Sequence, residues 1–137
     1  KMNYWLVKSE PETFSWDDLV RLGTDVWNGV RNYQARNNLQ AMKLGDKVLF
    51  YHSVIKPGVV GLATVSAEHY PDPTIPEDPR WVAVDITADQ ALPQKVTLAA
   101  IKSNPKLAQM QLIKQSRLSV MALTPDEYNE ILNMANQ

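Results

Sequence analysis

Hydrophobic residues alternate or cluster at short range along this chain, and polar punctuation separates the clusters. Asn3–Lys8 alternates aromatic and aliphatic residues, which predicts a strand with Trp5 and Val7 opposite Tyr4 and Leu6. Ser15-Trp16-Asp17-Asp18 has the Ser-x-x-Asp form of a capping box, so a short helix should follow, run to Leu22 and stop at Gly23. A loop through Asn28-Gly29 comes next. A second helix should start near Asn32 and end before Gly45, with Ala35, Leu39 and Met42 as its apolar stripe.

Asp46–Ser53 reads as a strand with Val48, Phe50 and His52 on one face and Leu49, Tyr51 and Ser53 on the other. After the turn Lys56-Pro57-Gly58, Val59–Val65 reads as its antiparallel hairpin partner. The four prolines of Tyr70–Pro79 predict an ordered loop or lid. Trp81–Thr87 and Arg117–Leu123 return to strand alternation, with short helical pieces expected at Thr97–Lys102 and Pro105–Ile113. Thr124-Pro125-Asp126-Glu127 supplies a cap, a first-turn proline and a capping acid for a terminal helix to Ala135. Five short strands interrupted by short helices predict an α+β fold, a small mixed barrel or curled sheet, without βαβ repetition.

The 137 residues are enough for one domain with its own core. Lys1 before Met2 reads as an added residue, so the domain is expected over residues 2–137. No cysteine is present, which removes disulfides and Cys-based zinc sites. The absence of a long apolar run and of a signal-peptide pattern predicts an intracellular, cytoplasmic protein with no membrane partner. The net charge of −1 argues against coating nucleic acid by bulk electrostatics. Charge is nevertheless segregated. Trp27–Pro57 carries +4 and Lys95–Arg117 carries +5, while Glu68–Asp89 carries −5. If the two basic segments meet they could form a polyanion patch; otherwise they are solvated faces.

One segment stands out chemically. Trp27–Asn38, Trp-Asn-Gly-Val-Arg-Asn-Tyr-Gln-Ala-Arg-Asn-Asn, contains four Asn, two Arg, a Trp and a Tyr without any acid. Rings of this kind stack on flat π systems, and Asn and Arg can hydrogen-bond base edges or clamp phosphate. Composition leaves Trp27 open between a stacking platform and a buried loop anchor. Trp5, Trp16 and Trp81 sit in patterns that predict core packing.

Other chemistries find less support. There is no Gly-x-Gly-x-x-Gly or Walker loop, and His52 and His69 lack metal-ligand spacing. No metal or other cofactor is expected. A hydrolytic triple could be drawn from Ser9 or Ser53, His52, and Glu10 or Asp72, but no Gly-x-Ser-x-Gly elbow surrounds either serine. Tyr51 and Ser53 could line a cavity or be satisfied core hydroxyls.

Five motifs carry a resemblance. Tyr4–Pro11 (YWLVKSEP), Trp27–Asn37 (WNGVRNYQARN), Phe50–Ser53 (FYHS), Tyr70–Thr74 (YPDPT) and Arg117–Val120 (RLSV), in this order, resemble the EVE domain family of the PUA-like superfold. They span almost the whole chain. Asn28 departs from the pattern, since an acid is expected there in many members.

The resemblance implies a PUA-like, compact and mostly antiparallel β-barrel surrounded by short helices. It also implies a non-enzymatic reader that takes a flipped, modified nucleobase of DNA or RNA, such as a 5-methylcytosine derivative, into a pocket. On this sequence that pocket would draw on Lys8, Ser9 and Glu10, then on Trp27, Asn28, Gly29, Val30, Arg31 and Asn32. Arg36, Asn37, Tyr51, His52, Ser53 and Asp72 would complete it. Trp27 would stack, Asn32 and Ser9 would meet the base edge, and Arg31 and Arg36 would serve phosphate or scaffold the pocket. The alternatives are an enzyme acting on a modified base through His52 or Asp72, and an RNA-binding module without base selection.

Overall fold

The computed structural model describes residues 1–137. Six strands form a single sheet: β1 (Tyr4–Ser9), β2 (Thr24–Trp27), β3 (Lys47–His52), β4 (Gly58–Pro71), β5 (Val82–Thr97) and β6 (Val120–Leu123). Helices α1 (Trp16–Leu22), α2 (Tyr33–Ala41), α3 (Leu98–Lys102), α4 (Gln111–Lys114) and α5 (Pro125–Ala135) surround it, with a 3-10 turn at Pro105–Leu107. The sheet order is β2-β5-β4-β3-β1-β6. Neighbours are antiparallel except β1 and β3, which run parallel. The α+β class is therefore as expected, but the sheet does not close into the expected barrel, because β2 and β6 remain open edges.

Local chemistry explains most boundaries. Ser15 caps α1 in a reciprocal box with Asp18, and Thr124 caps α5 in the same way with Glu127. Asn32 caps α2 by accepting the Ala35 backbone N–H at 2.9 Å. The α2 stripe of Ala35, Leu39 and Met42 is fully buried, as its spacing requires. Gly61 on β4 lets the Trp16 ring lie against the backbone, since a Cβ there would come within 2.5 Å of the indole.

Three features differ from the sequence expectation. Thr24–Trp27 is a strand rather than part of a loop. Four residues are too few to show a period, and pairing with Val84–Thr87 of β5 defines them. The strand β4 runs on to Pro71, and β5 is sixteen residues long despite Pro93. Between the pairs Gly61–Ala91 and Val59–Val96 the β5 chain bulges, and Pro93 sits in that bulge where no ladder donor is needed. Trp5 and Trp16 join the main core, but Trp81 packs outside it, stacked on Tyr33 at 5.1 Å. Asp46, visible in the sequence only as a charge, is buried and accepts from Trp5 Nε1, the Lys43 N–H and the Asn3 N–H. It fastens the exit of α2 to the start of β1.

Candidate functional site

The parallel pairing of β1 with β3 places Lys8 beside Tyr51 and Ser9 beside His52, so two of the sequence motifs end side by side. The segment before β6 closes on the same end of β1, where the Lys8 N–H donates to Ser119 O at 2.9 Å. The end of β2 brings up Trp27. These four chain segments surround a cleft of about 710 Å³ lined by both polar and aromatic groups. Ligand sites commonly fall in this size range.

Nine of the sequence candidates line the cleft: Lys8, Ser9, Glu10, Trp27, Asn28, Gly29, Val30, Arg31 and Ser53. Trp27 is half-buried and nearly perpendicular to Phe50 (5.6 Å, 84°) and Phe14 (6.2 Å, 77°), an arrangement that fixes its indole. Trp27 is thus a packed anchor whose indole also forms part of the cleft wall. Ser9 Oγ donates to Phe14 O at 2.5 Å, and Ser9 O accepts the Ser53 N–H at 2.9 Å. Lys8 Nζ donates to Ser116 O at 2.7 Å and lies 5.8 Å from the Tyr51 ring centre. Its partial burial pushes the ammonium pKa below the ordinary lysine value.

The other six candidates stand behind or beside the cleft. Asp72 is wholly buried and accepts from the Gly29 N–H, Arg31 Nη1, the Thr74 N–H and Thr74 Oγ1, at 2.6–2.9 Å. Burial alone would raise this carboxyl, but the Thr74, Arg31 and Gly29 donors outweigh it and hold the group well below the usual carboxylate range. Asp72 therefore shapes the Gly29–Arg31 wall from behind, and Gly29, at φ +78°, makes the turn that presents its N–H to the carboxylate.

The Asn32 side chain is committed to capping α2. Arg36 bonds Asn37 Oδ1 and Arg80 O and lies 5.0 Å from the Tyr33 ring, which places both Arg36 and Asn37 on the Tyr33–Trp81 cluster. Tyr51 is buried, and burial raises its phenol pKa. His52 Nε2 accepts the Trp16 N–H at 3.0 Å; burial, with Lys95 nearby, lowers its pKa. With that nitrogen occupied and Ser9 bonded to Phe14, Ser9 and His52 form no relay.

Sequence reading missed Thr13, Phe14, Asp25, Val26, Val54, Ser116, Arg117 and Ser119 as lining residues. Two signals pointed toward some of them. Ser119 and Arg117 lie in the RLSV motif, and the second basic segment supplies Arg117 to the cleft that receives Arg31 from the first. The two basic segments do meet: Lys95 Nζ also donates to Lys56 O at 2.8 Å.

This is a PUA-like α+β domain built around an aromatic and polar cleft at one end of its sheet. Residues 3–134 match the model of the EVE domain, and the chain belongs to the EVE domain family. Mouse thymocyte nuclear protein 1 is 39% identical over 165 residues, covering 96% of this chain and 73% of the mouse protein. An Agrobacterium tumefaciens protein superposes with a TM-score of 0.95 at 49% identity, over 97% of this chain and 92% of the other. Human THYN1, solved in complex with DNA containing 5-methylcytosine, gives a TM-score of 0.94 at 36% identity, with 98% of each chain covered.

Proposed function

We propose that this chain is a non-catalytic reader that binds a modified nucleobase in DNA, with a 5-methylcytosine derivative as the first candidate, by receiving the flipped base in the Trp27 cleft. One observation carries the reading. A fixed indole and a set of hydroxyl, amide and backbone groups face one cleft, in a relative of a protein solved with methylated DNA.

The energetics fit. Extruding a base costs a few kcal/mol. A stack on Trp27 returns about 1–3 kcal/mol, so edge hydrogen bonds and phosphate contacts must supply the rest. Asn28, Ser119 and Ser9 line the cleft, and their amide and hydroxyl groups would serve the edge. Arg117, exposed at the rim, is the phosphate contact, because Arg31 is already held by Asp72 and Thr74. Few cations border the cleft and the whole chain carries −1, so affinity should rest on the base more than on the backbone. No helix of the chain is long and apolar enough to cross a membrane. An intracellular setting accords with relatives named as nuclear proteins.

Fluorescence anisotropy with matched oligonucleotides carrying cytosine, 5-methylcytosine or 5-hydroxymethylcytosine tests the reading. A preference of about tenfold or more for one modified base, equal to about 1.4 kcal/mol, is expected. Equal affinity across the series would overturn it. Mass spectrometry of the recovered oligonucleotide should show it unchanged, and turnover would assign an enzyme instead.

A further inference from the structure

The turn between β3 and β4 carries an anomaly that the reader function has not absorbed. Val54, a β-branched residue, stands at φ +71°, and Lys56 follows at φ +44°. β-Branched residues rarely occupy positive φ. The Ile55 N–H donates to Ser53 O at 2.8 Å across Val54, which makes this a γ-turn of the strained, positive-φ kind.

The turn is also fastened on both flanks. The Ser53 N–H bonds Ser9 O, Lys95 Nζ bonds Lys56 O, and the Leu98 N–H bonds Pro57 O. Its apolar side chains are nevertheless poorly covered within the chain. Val54 is 72% exposed and Ile55 43% exposed, although Val54 borders the cleft. A strained backbone that holds an isopropyl group out in water at the rim of a binding cleft fits a partner better than it fits the fold.

We infer that Val54 is a wedge that enters the vacancy left in a DNA duplex when the modified base turns into the cleft. The inference rests on the reader function proposed above and adds the form of the substrate: a base-paired duplex rather than a single strand. The chemistry of the vacancy fits the side chain. Its walls are the apolar faces of the two neighbouring base pairs, and apolar side chains fill such gaps by partly unstacking the step. The rigid turn matters because a wedge that folded back would lose its hold on the opened state. A single strand has no stacked gap to hold open, so Val54 should contribute little there.

Val54→Gly provides the test, because glycine adopts φ +71° without strain and removes only the side chain. Its melting temperature should equal or exceed that of the parent. Binding is measured to 5-methylcytosine oligonucleotides in single-stranded form, as a paired duplex, and as a duplex with a mismatch opposite the modified base. The ratio of paired-duplex to single-strand affinity should fall by about tenfold in the variant, and the mismatch should restore most of it because opening is already cheaper there. An adjacent 2-aminopurine should report less unstacking.

An unchanged ratio, or equal losses on both strand forms, would overturn the wedge while leaving the reader intact. If the parent protein binds no modified oligonucleotide preferentially, the reader function fails first, which is a distinguishable result.

Discussion

The two halves of the segment Trp27–Asn37 each hold one aromatic ring, one Arg and at least one Asn, yet their employment differs. The first half, Trp27–Arg31, faces the cleft; the second, Asn32–Asn37, builds the helix behind it. Asn28 is exposed on the cleft wall, whereas Asn32 spends its oxygen on a helix cap. Arg31 and Arg36 both lie over aromatic rings, but only Arg31 borders the cleft, braced by Asp72. Residue type therefore says what a side chain can bind, and its hydrogen-bond partners say whether it is free to do so.

The largest expected effect comes from removing the brace shared by that wall. Asp72→Ala leaves Arg31 and the Gly29 N–H without their acceptor. Because Arg31 is partly exposed, the cost should fall toward the lower end of the range for breaking a buried pair, about 3 kcal/mol, and be visible in chemical denaturation. Oligonucleotide binding should weaken with it. The acid limb of stability carries the same signature. A carboxyl whose folded pKa lies below its unfolded value stabilises above about pH 4 and loses that contribution as pH falls. Asp72→Asn should flatten this limb, and an unaltered limb would mean that Asp72 does not brace the wall.

Trp27→Ala separates the two halves by affinity. Loss of one stack, about 1–3 kcal/mol, predicts a roughly 5- to 150-fold weaker complex with the modified oligonucleotide. Some loss of stability should accompany it, since the indole also packs on Phe50 and Phe14. Asn32→Ala should do the reverse. Removing the cap costs about 1 kcal/mol in denaturation, with affinity changed less than about twofold, a small fraction of one stack. The smallest effect belongs to Arg117→Ala. Affinity should fall evenly across sequences, and the slope of log affinity against log salt should drop by about 1.

Much of this molecule was readable from its sequence, for identifiable reasons. Caps at Ser15, Asn32 and Thr124 are local hydrogen-bond chemistry, so the starts of α1, α2 and α5 could be placed within a residue or so, whereas α2 ends at Ala41, earlier than the Gly45 stop signal suggests. The segment Trp27–Arg31 stood out by composition, and the family motifs supplied Lys8–Glu10 and Ser53. What was not legible depends on pairing between distant segments. The four-residue β2 exists only beside β5, and the open sheet edges follow from which strands find no partner. Asp72 and His52 looked like ligand groups because a carboxylate and an imidazole can act as such. Only the fold shows their acceptors already taken by Gly29, Arg31 and Thr74 in one case and by Trp16 in the other. Phe14, Ser116 and Val54 carried no motif signal and enter the site through strand register and turn geometry.

In the proposed complex the base enters between Trp27–Arg31 and the ends of β1 and β3. Two-dimensional NMR of the ¹⁵N-labelled protein titrated with a 5-methylcytosine oligonucleotide tests it most directly. Saturable shifts are expected at the Trp27 indole N–H and at the amides of Ser9, Asn28, Gly29 and Ser119, with Arg36 and Asn37 nearly unmoved. Shifts centred on Arg36, Asn37 and the Tyr33–Trp81 cluster, with Trp27 unmoved, would contradict it.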